Sequence, residues 1–253
     1  MIYGLYLSAS GILANSYNVD VLANNLANSE SVGFKRDMTL FRQRLTAAQE
    51  SHKAGDWSDP LLEKMGGGLS VNPSAIDTSQ GELESTGNPL DLGIDGKGYF
   101  AVQDATGTHL TRDGRFMVNP SGELVMSNSR ASKVLDNQQR PIVLSPGQLA
   151  SISADGKISQ EGSTVGTVGL FDVPDSQNLT KNGADELSYP NIAGLQAATG
   201  AIRSETIERA NIDPTTELAQ MMEAQRDLEA NANMIHYQDE TLQSLVQDVG
   251  KIS

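Results

Sequence analysis

Apolar residues recur at seven-residue intervals at both ends of the chain. Near the N-terminus they form one line of four positions: Leu5, Ile12, Val19 and Leu26. Near the C-terminus a longer line contains Met221, Leu228, Ile235, Leu242 and Val249, and a second line begins at Leu218. This spacing is typical of helices that pack along a coiled-coil seam. The pattern predicts a long helix at each end, the second beginning at Pro214 after Asp213.

The middle of the chain has a different pattern of apolar and polar residues. From about Gly81 to Arg203, short apolar runs alternate with turn sequences rich in Asp, Pro and Gly. Apolar runs separated by turn sequences in this way predict short strands. The stretch ISADGKIS predicts a tight hairpin around Asp155-Gly156. Residues 37–75 are expected to extend the first helix to about Glu50 and to continue as a glycine-rich connector through Gly66, Gly67 and Gly68.

These patterns predict an α+β fold, in which long terminal helices form a coiled-coil-like layer and the central domain is β-rich. The expected helical domain comprises residues 1–36 and 205–253. A helix extension and connector would occupy residues 37–80, and the β-rich domain residues 81–204.

The formal net charge of −14 in 253 residues disfavours binding to nucleic acid or to anionic membranes, since both require basic patches. The chain contains no cysteine, which excludes disulfides and thiolate chemistry. Neither a secretory signal nor an 18-residue apolar window is found, so we expect no membrane insertion, and any export would have to use a route that ignores such signals.

The candidates for chemistry are weak. The sequence Gly96-Lys97-Gly98-Tyr99-Phe100-Ala101 fits a dinucleotide-binding pattern, but it leads into a strand-like run and is interpreted as a β-turn. The three histidines have no metal-ligand spacing, and Asp95 and Asp113 precede glycines in predicted turns. Neither a nucleophile elbow nor a phosphate-binding loop is present. We therefore predict no catalytic, cofactor-binding or metal site.

The first predicted helix carries few charges. Between Met1 and Ser29 its one charged side chain is Asp20, whereas a helix that faces water usually carries many more. With the Leu5 line facing inward, the outward positions would be small or carry amides: Gly11, Ala14, Asn18, Asn24, Asn25 and Asn28. Two interpretations follow: the helix is buried in its own domain, or other subunits cover most of it.

Several motifs resemble those of one family. They are SASG (8–11), DVLANNLANSESVGFKR (20–36), TGNPLDLGIDGKGYFAV (86–102), TRDGRF (111–116) and EAQRDLEANANMI (223–235). In this order they resemble the bacterial flagellar basal-body rod and hook proteins. There are departures from the family pattern: Ser31 replaces a threonine, and residues 225–229 and 210–212 also differ.

The resemblance implies a structural axial subunit and no enzyme. Such a subunit would be exported by the flagellar type III apparatus and would polymerise helically, with itself and neighbouring rod proteins, into the rod in the periplasm. The acidic C-terminal helix would line the channel. The polymerisation interface would then comprise Leu5, Ile12, Val19, Asn24, Asn25, Leu26, Asn28, Gly33, Phe34, Leu218, Met221, Leu228, Ile235, Leu242 and Val249.

Three alternatives remain open. Within the family, the length of the chain favours a proximal-rod subunit over a distal-rod or hook subunit. A different class would be a coiled-coil interaction protein or secreted effector without a flagellar role. A β-domain enzyme would require a polar pocket with convergent titratable groups.

Overall fold

The computed structural model describes residues 2–43, 68–128, 130–145, 147–148, 150–175, 178–183 and 185–250. The chain divides into two compact units. Unit 1 comprises Met1–Leu26, Asp37–Ala75 and Pro214–Ser253, and unit 2 comprises Ala27–Arg36 and Ile76–Asp213. The α+β class, with a helix near each end and a β-rich middle, is confirmed.

Unit 1 is built from the two ends of the chain and one strand pair. Helix α1 spans Ile2–Ala27 and helix α2 spans Pro214–Gly250. Strand β1 (Asp37–Gln43) pairs with β2 (Leu69–Ile76). The predicted start of α2 at Pro214 is confirmed, because proline at the first helical position loses no hydrogen bond.

The predicted extension of the first helix is wrong over the described residues 28–43. Helix α1 ends at Ala27, the chain turns, and Asp37–Gln43 form β1. Gly33 supplies the reversal with a φ of 71°, which favours glycine. Asn25 then fixes the next strand, since its Oδ1 accepts from the Asp37 N–H and its Nδ2 donates to the Asp37 carbonyl, both at 2.9 Å. Residues 44–50 lie outside the described residues.

Unit 2 consists of short strands. In chain order they are β3 (Leu83–Ser85), β4 (Leu92–Asp95), β5 (Tyr99–Gln103), β6 (Thr108–Thr111), β7 (Phe116–Val118), β8 (Leu124–Met126), β9 (Lys133–Val134), β10 (Ala150–Ile152), β11 (Lys157–Gln160), β12 (Ser163–Thr167), β13 (Leu170–Asp172), β14 (Thr180–Lys181), β15 (Glu186–Ser188), β16 (Gln196–Ala197), β17 (Ala201–Ser204) and β18 (Thr206–Glu208). A 3-10 turn occupies Ile192–Gly194.

The largest sheet of unit 2 has the order β14-β15-β6-β5-β9-β8-β7, and β13 joins it through β5 while also pairing with β16. Strands β10, β11 and β12 form a second sheet, in which β10 and β11 make the predicted hairpin around Asp155-Gly156. Strands β17 and β18 pair antiparallel with β4 and β3. The segments that enter and leave the unit therefore run side by side.

Two apolar clusters fill unit 2. The larger includes Phe100 and Phe116, whose rings meet edge to face at 5.2 Å between centroids. The smaller is centred on Tyr99, Leu110 and Leu187. Burial of this apolar surface is the main stabilising contribution to a fold of short strands.

A buried ion cluster holds the segment after α1 inside unit 2. The Glu208 carboxylate is fully buried and accepts from Lys35 Nζ at 2.6 Å and from Arg112 Nη1 at 2.8 Å. Lys35 also donates to the Ser79 carbonyl, and Glu208 accepts from the Gly81 N–H. Burial, the largest influence, lowers the pKa of Lys35, while Glu208 opposes that change. The cluster explains why Ala27–Arg36 and 205–213 belong to unit 2. The sequence pattern had instead assigned most of these residues to the helical domain.

We expect Glu208→Ala to lower the free energy of unfolding by about 3–5 kcal/mol, because it leaves two buried cations without their anion. The matched control is Arg203→Ala, which breaks the largely exposed pair between Arg203 and Asp95 and should cost about 0–1 kcal/mol. Urea unfolding followed by circular dichroism measures both. Equal losses in the two variants would contradict a stabilising role for the buried cluster.

The turn between β5 and β6 predicts a pH dependence. Hydrogen bonds from Thr106 and Gly107 lower the pKa of Asp104 to about 2 from its usual 3.8. A lowered carboxyl pKa in the folded state adds stability above the unfolded value, and this stability is lost as the pH falls through the folded value. The destabilisation caused by Asp104→Asn should therefore be full at neutral pH and should vanish below about pH 2. A difference that does not depend on pH would contradict this assignment.

Candidate assembly interface

The inner face between α1 and α2 is lined by small and amide-bearing side chains. A Cβ placed on Gly4 would lie 2.7 Å from Gln238 Nε2, and one on Gly11 would lie 3.0 Å from Asn231 Nδ2. The helices therefore approach closely where α1 has no side chain.

Asn25 and Glu217 form the third contact of this face. Asn25 Nδ2 lies 3.4 Å from Glu217 Oε2, and both side chains are 1% exposed. Seven residues before Asn25, Asn18 Oδ1 accepts from Thr39 Oγ1 of β1 at 2.9 Å. The face therefore contains polar groups that hydrogen-bond within unit 1, whereas the buried Oε1 atom of Gln238 has no hydrogen-bond partner among the described residues.

The predicted apolar lines flank this face. Eight members of these lines are half-buried: Leu5, Ile12, Val19, Leu26, Met221, Leu228, Ile235 and Leu242. Leu218 and Val246, which lies four heptads after Leu218 on the second line, are exposed. Val249 lies near the end of α2. The prediction that Gly11, Ala14 and Asn25 face outward is wrong, since Gly11 contacts α2 and the other two are buried. The inner line of α1 is displaced by one residue from the predicted one.

The remaining predicted interface residues lie in different surroundings. Asn24 is exposed on α1, and Asn28 accepts a hydrogen bond from Ser31 in the turn that follows. Gly33 and Phe34 are buried in unit 2, with Lys181 Nζ 3.8 Å from the centre of the Phe34 ring. A Cβ on Gly33 would collide with the backbone of Arg112 and Asp113. Their part in polymerisation stays a prediction.

Large exposed apolar side chains are concentrated in unit 1. Among the described residues, the three in unit 2 are Met117, Val143 and Val165. The twelve in unit 1 are Tyr6, Leu7, Leu13, Leu40, Phe41, Leu69, Leu218, Met222, Met234, Tyr237, Leu245 and Val246. Such a concentration is typical of surfaces that bind protein, because monomeric proteins rarely expose extensive apolar patches.

The same helix α2 also exposes negative charge. Among the α2 side chains that the structure describes, the exposed charged ones, apart from Arg226, are the acids Glu223, Asp227, Glu229, Asp239 and Glu240. The acidic character of this helix is also evident from the sequence. It gives α2 one set of positions suited to protein contact and another suited to water.

The side-chain cluster that most resembles a metal site lies in unit 2. His109 is buried close to Asp104 and Glu186. Its ring nitrogens already lie near the Thr106 and Ser188 hydroxyls. Both Glu186 oxygens accept hydrogen bonds, one from Ser132 and one from Arg130. The cluster is therefore a hydrogen-bond network, in which the Arg130 guanidinium forms an ion pair with the Glu186 carboxylate.

The pattern Gly96-x-Gly98 forms the turn between β4 and β5, and both glycines have positive φ. Its interpretation as a turn is confirmed. Within the described residues, none of the helices is long and apolar enough to cross a membrane.

Three family models match separate parts of the chain. The model described as "Flagella basal body rod protein" matches residues 5–35. The model "Flagellar hook protein FlgE/F/G D1 domain" matches residues 93–160, and "Flagellar basal body rod FlgEFG protein C-terminal" matches residues 203–248. The matched regions contain α1 with its following turn, part of unit 2, and most of α2.

Proteins that are similar to this chain over nearly its whole length are also flagellar basal-body rod proteins. The flagellar basal-body rod protein FlgG of Bacillus subtilis is 31% identical over 97% of this chain and 98% of its own length. The flagellar basal-body rod protein FlgF of Caulobacter vibrioides is 32% identical over 98% of each. The chain therefore belongs to the family of flagellar basal-body rod proteins, which are structural subunits of the rod.

Proposed function

We propose that this subunit polymerises helically through unit 1, with copies of itself and with neighbouring rod proteins, into a hollow shaft that transmits torque. The observation that carries the proposal is the concentration of exposed apolar side chains in unit 1. Each half-exposed side chain would contribute about 1 kcal/mol when a neighbour covers it. Several such contacts are needed, because association of two proteins costs at least about 4 kcal/mol.

The geometry of such contacts decides between a closed ring and a filament. A heterologous contact joins two different surfaces, and it builds an open helix when the rotation between subunits does not close. Apolar residues on both α1 and α2, such as Leu13 and Tyr237, offer two different surfaces for this purpose. Together the two helices would form the coiled-coil-like inner layer of the shaft.

The acidic positions of α2 suit the lining of the channel. Exposed carboxylates such as Glu223 and Asp227 remain hydrated and give passing polypeptides little apolar surface to adhere to. This arrangement would let later export substrates pass through the finished shaft. Export of the subunit itself through the flagellar type III apparatus to the periplasm is part of the proposal, and the absence of cysteine suits it.

The proposal includes a proximal-rod position. Its support is the length of the chain, since the alignment with the FlgF protein of Caulobacter vibrioides spans 252 positions, whereas that with the FlgG protein of Bacillus subtilis spans 264. The chain thus lacks the extra residues of the longer relative. A distal-rod or hook position is the alternative, and localisation of a tagged subunit relative to its neighbours decides between them.

Two matched double variants test the interface. In a host that lacks the native gene, Met234→Gln with Val246→Thr should abolish swimming and leave incomplete rods, because two apolar side chains lose their contacts with neighbours. The control is Met117→Gln with Val143→Thr, which makes the same chemical changes at similarly exposed positions of unit 2. Motility in soft agar and electron microscopy of isolated basal bodies are the measurements.

The control variant should swim normally. Loss of motility in the unit 2 variant together with normal rods in the unit 1 variant would contradict the proposed interface. Complete rods and normal swimming in the strain without the gene would contradict the rod function itself.

A further inference from the structure

The three contacts between α1 and α2 share one antiparallel register. Gly4 faces Gln238, Gly11 faces Asn231, and Asn25 faces Glu217. From each contact to the next, α1 advances by a multiple of seven residues and α2 retreats by the same number. The remaining layer of this register would pair Asn18 with Ala224, whose side chain is 3% exposed. The helices therefore keep one register over three heptads.

The glycine contacts alone do not select this register. A shift of one heptad would place Gly4 opposite Asn231, and an amide would again meet a glycine. The apolar line that starts at Met221 also repeats every seven residues, so it fits the shifted register equally well. A repeating pattern of this kind leaves registers nearly equal in energy unless one layer differs from the others.

The layer that differs is the one at Asn25. The side chain of Asn25 is fixed by two hydrogen bonds to the backbone of Asp37, and its remaining amide hydrogen is directed to Glu217. In the shifted registers the buried Glu217 carboxylate would lie opposite Asn18 or beyond the aligned part of α1, and Asn25 would lose its acceptor. The loss of a hydrogen bond between a buried amide and a buried carboxylate is disfavoured.

We propose that the hydrogen bond between Asn25 and Glu217 fixes the register of α1 against α2. This inference goes beyond the assembly function, since it concerns the single chain before any neighbour binds. Asn25 and Glu217 are positioning residues: they determine which apolar side chains of the two helices end up side by side on the outer surface. A polar layer of this kind gives specificity of pairing at some cost in stability.

Disulfide trapping measures the register, because the chain has no native cysteine. The pair Gly11→Cys with Asn231→Cys reports the observed register. The pair Gly4→Cys with Asn231→Cys shares one cysteine and reports a shift of one heptad, about 10 Å along the helix. A disulfide requires Cα atoms within about 7 Å, so each pair forms in one register alone. The full chain is oxidised at high dilution, and crosslinked monomer is separated from crosslinked dimer on a gel.

We expect the first pair to form its intrachain disulfide at least about tenfold faster than the second, the ratio that one hydrogen bond to a buried charge supplies. Glu217→Ala or Asn25→Ala should bring the two rates to within about twofold. Glu217→Gln keeps an acceptor oxygen and should retain the preference. Glu223→Ala, an exposed acid one to two turns further along α2, is the matched control and should leave the ratio unchanged.

Equal rates for the two cysteine pairs in the starting chain would overturn the observed register. An unchanged ratio in both Glu217→Ala and Asn25→Ala would overturn the role of this hydrogen bond. Neither result bears on polymerisation, because the readout is an intrachain crosslink. The basal-body experiment can therefore fail while this inference holds, and the reverse is equally true.

Discussion

The polar contact face between α1 and α2 is the constraint on which unit 1 depends. Gly4 and Gly11 make room for the amides of Gln238 and Asn231, and Asn25 binds Glu217. Among the described side chains of the two helices, the buried apolar ones are Ala14, Leu22 and Ala224. The half-buried lines beside the face and exposed residues such as Leu13 remain for contact with other chains. A subunit with an apolar inner face would have less such surface left to bind its neighbours.

Unit 2 is complete by itself in a way that unit 1 is not. Its two apolar clusters are made of buried side chains, and the Glu208 carboxylate is paired with both Lys35 and Arg112. The first two strands of unit 2, β3 and β4, pair with its last two strands, β18 and β17. This difference gives the two units separate physical roles. Unit 2 is stabilised within one chain, and unit 1 gains stability when other subunits cover it.

Much of this architecture follows from sequence patterns. The seven-residue spacing predicted both helices, Pro214 marked the start of α2, and Asp155-Gly156 marked a hairpin. The pattern did not identify the inner line of α1, because the Gly4 and Leu5 lines are adjacent and apolar character alone favoured the second. Nor did it predict the strand that begins at Asp37, which depends on a side-chain contact with Asn25. The ion cluster was not predicted from the sequence, because Lys35, Arg112 and Glu208 are far apart along the chain.

The central claim is that the exposed apolar side chains of unit 1 are covered by neighbouring subunits in the rod. A high-resolution electron cryomicroscopy reconstruction of the assembled rod measures this directly, as the exposed fraction of each side chain in the polymer. Leu13, Tyr237 and Val246, now 69%, 65% and 72% exposed, should become buried against other chains, while the exposed acids of α2 stay in contact with water. A rod in which these three side chains remain exposed and subunits meet through unit 2 would contradict the account.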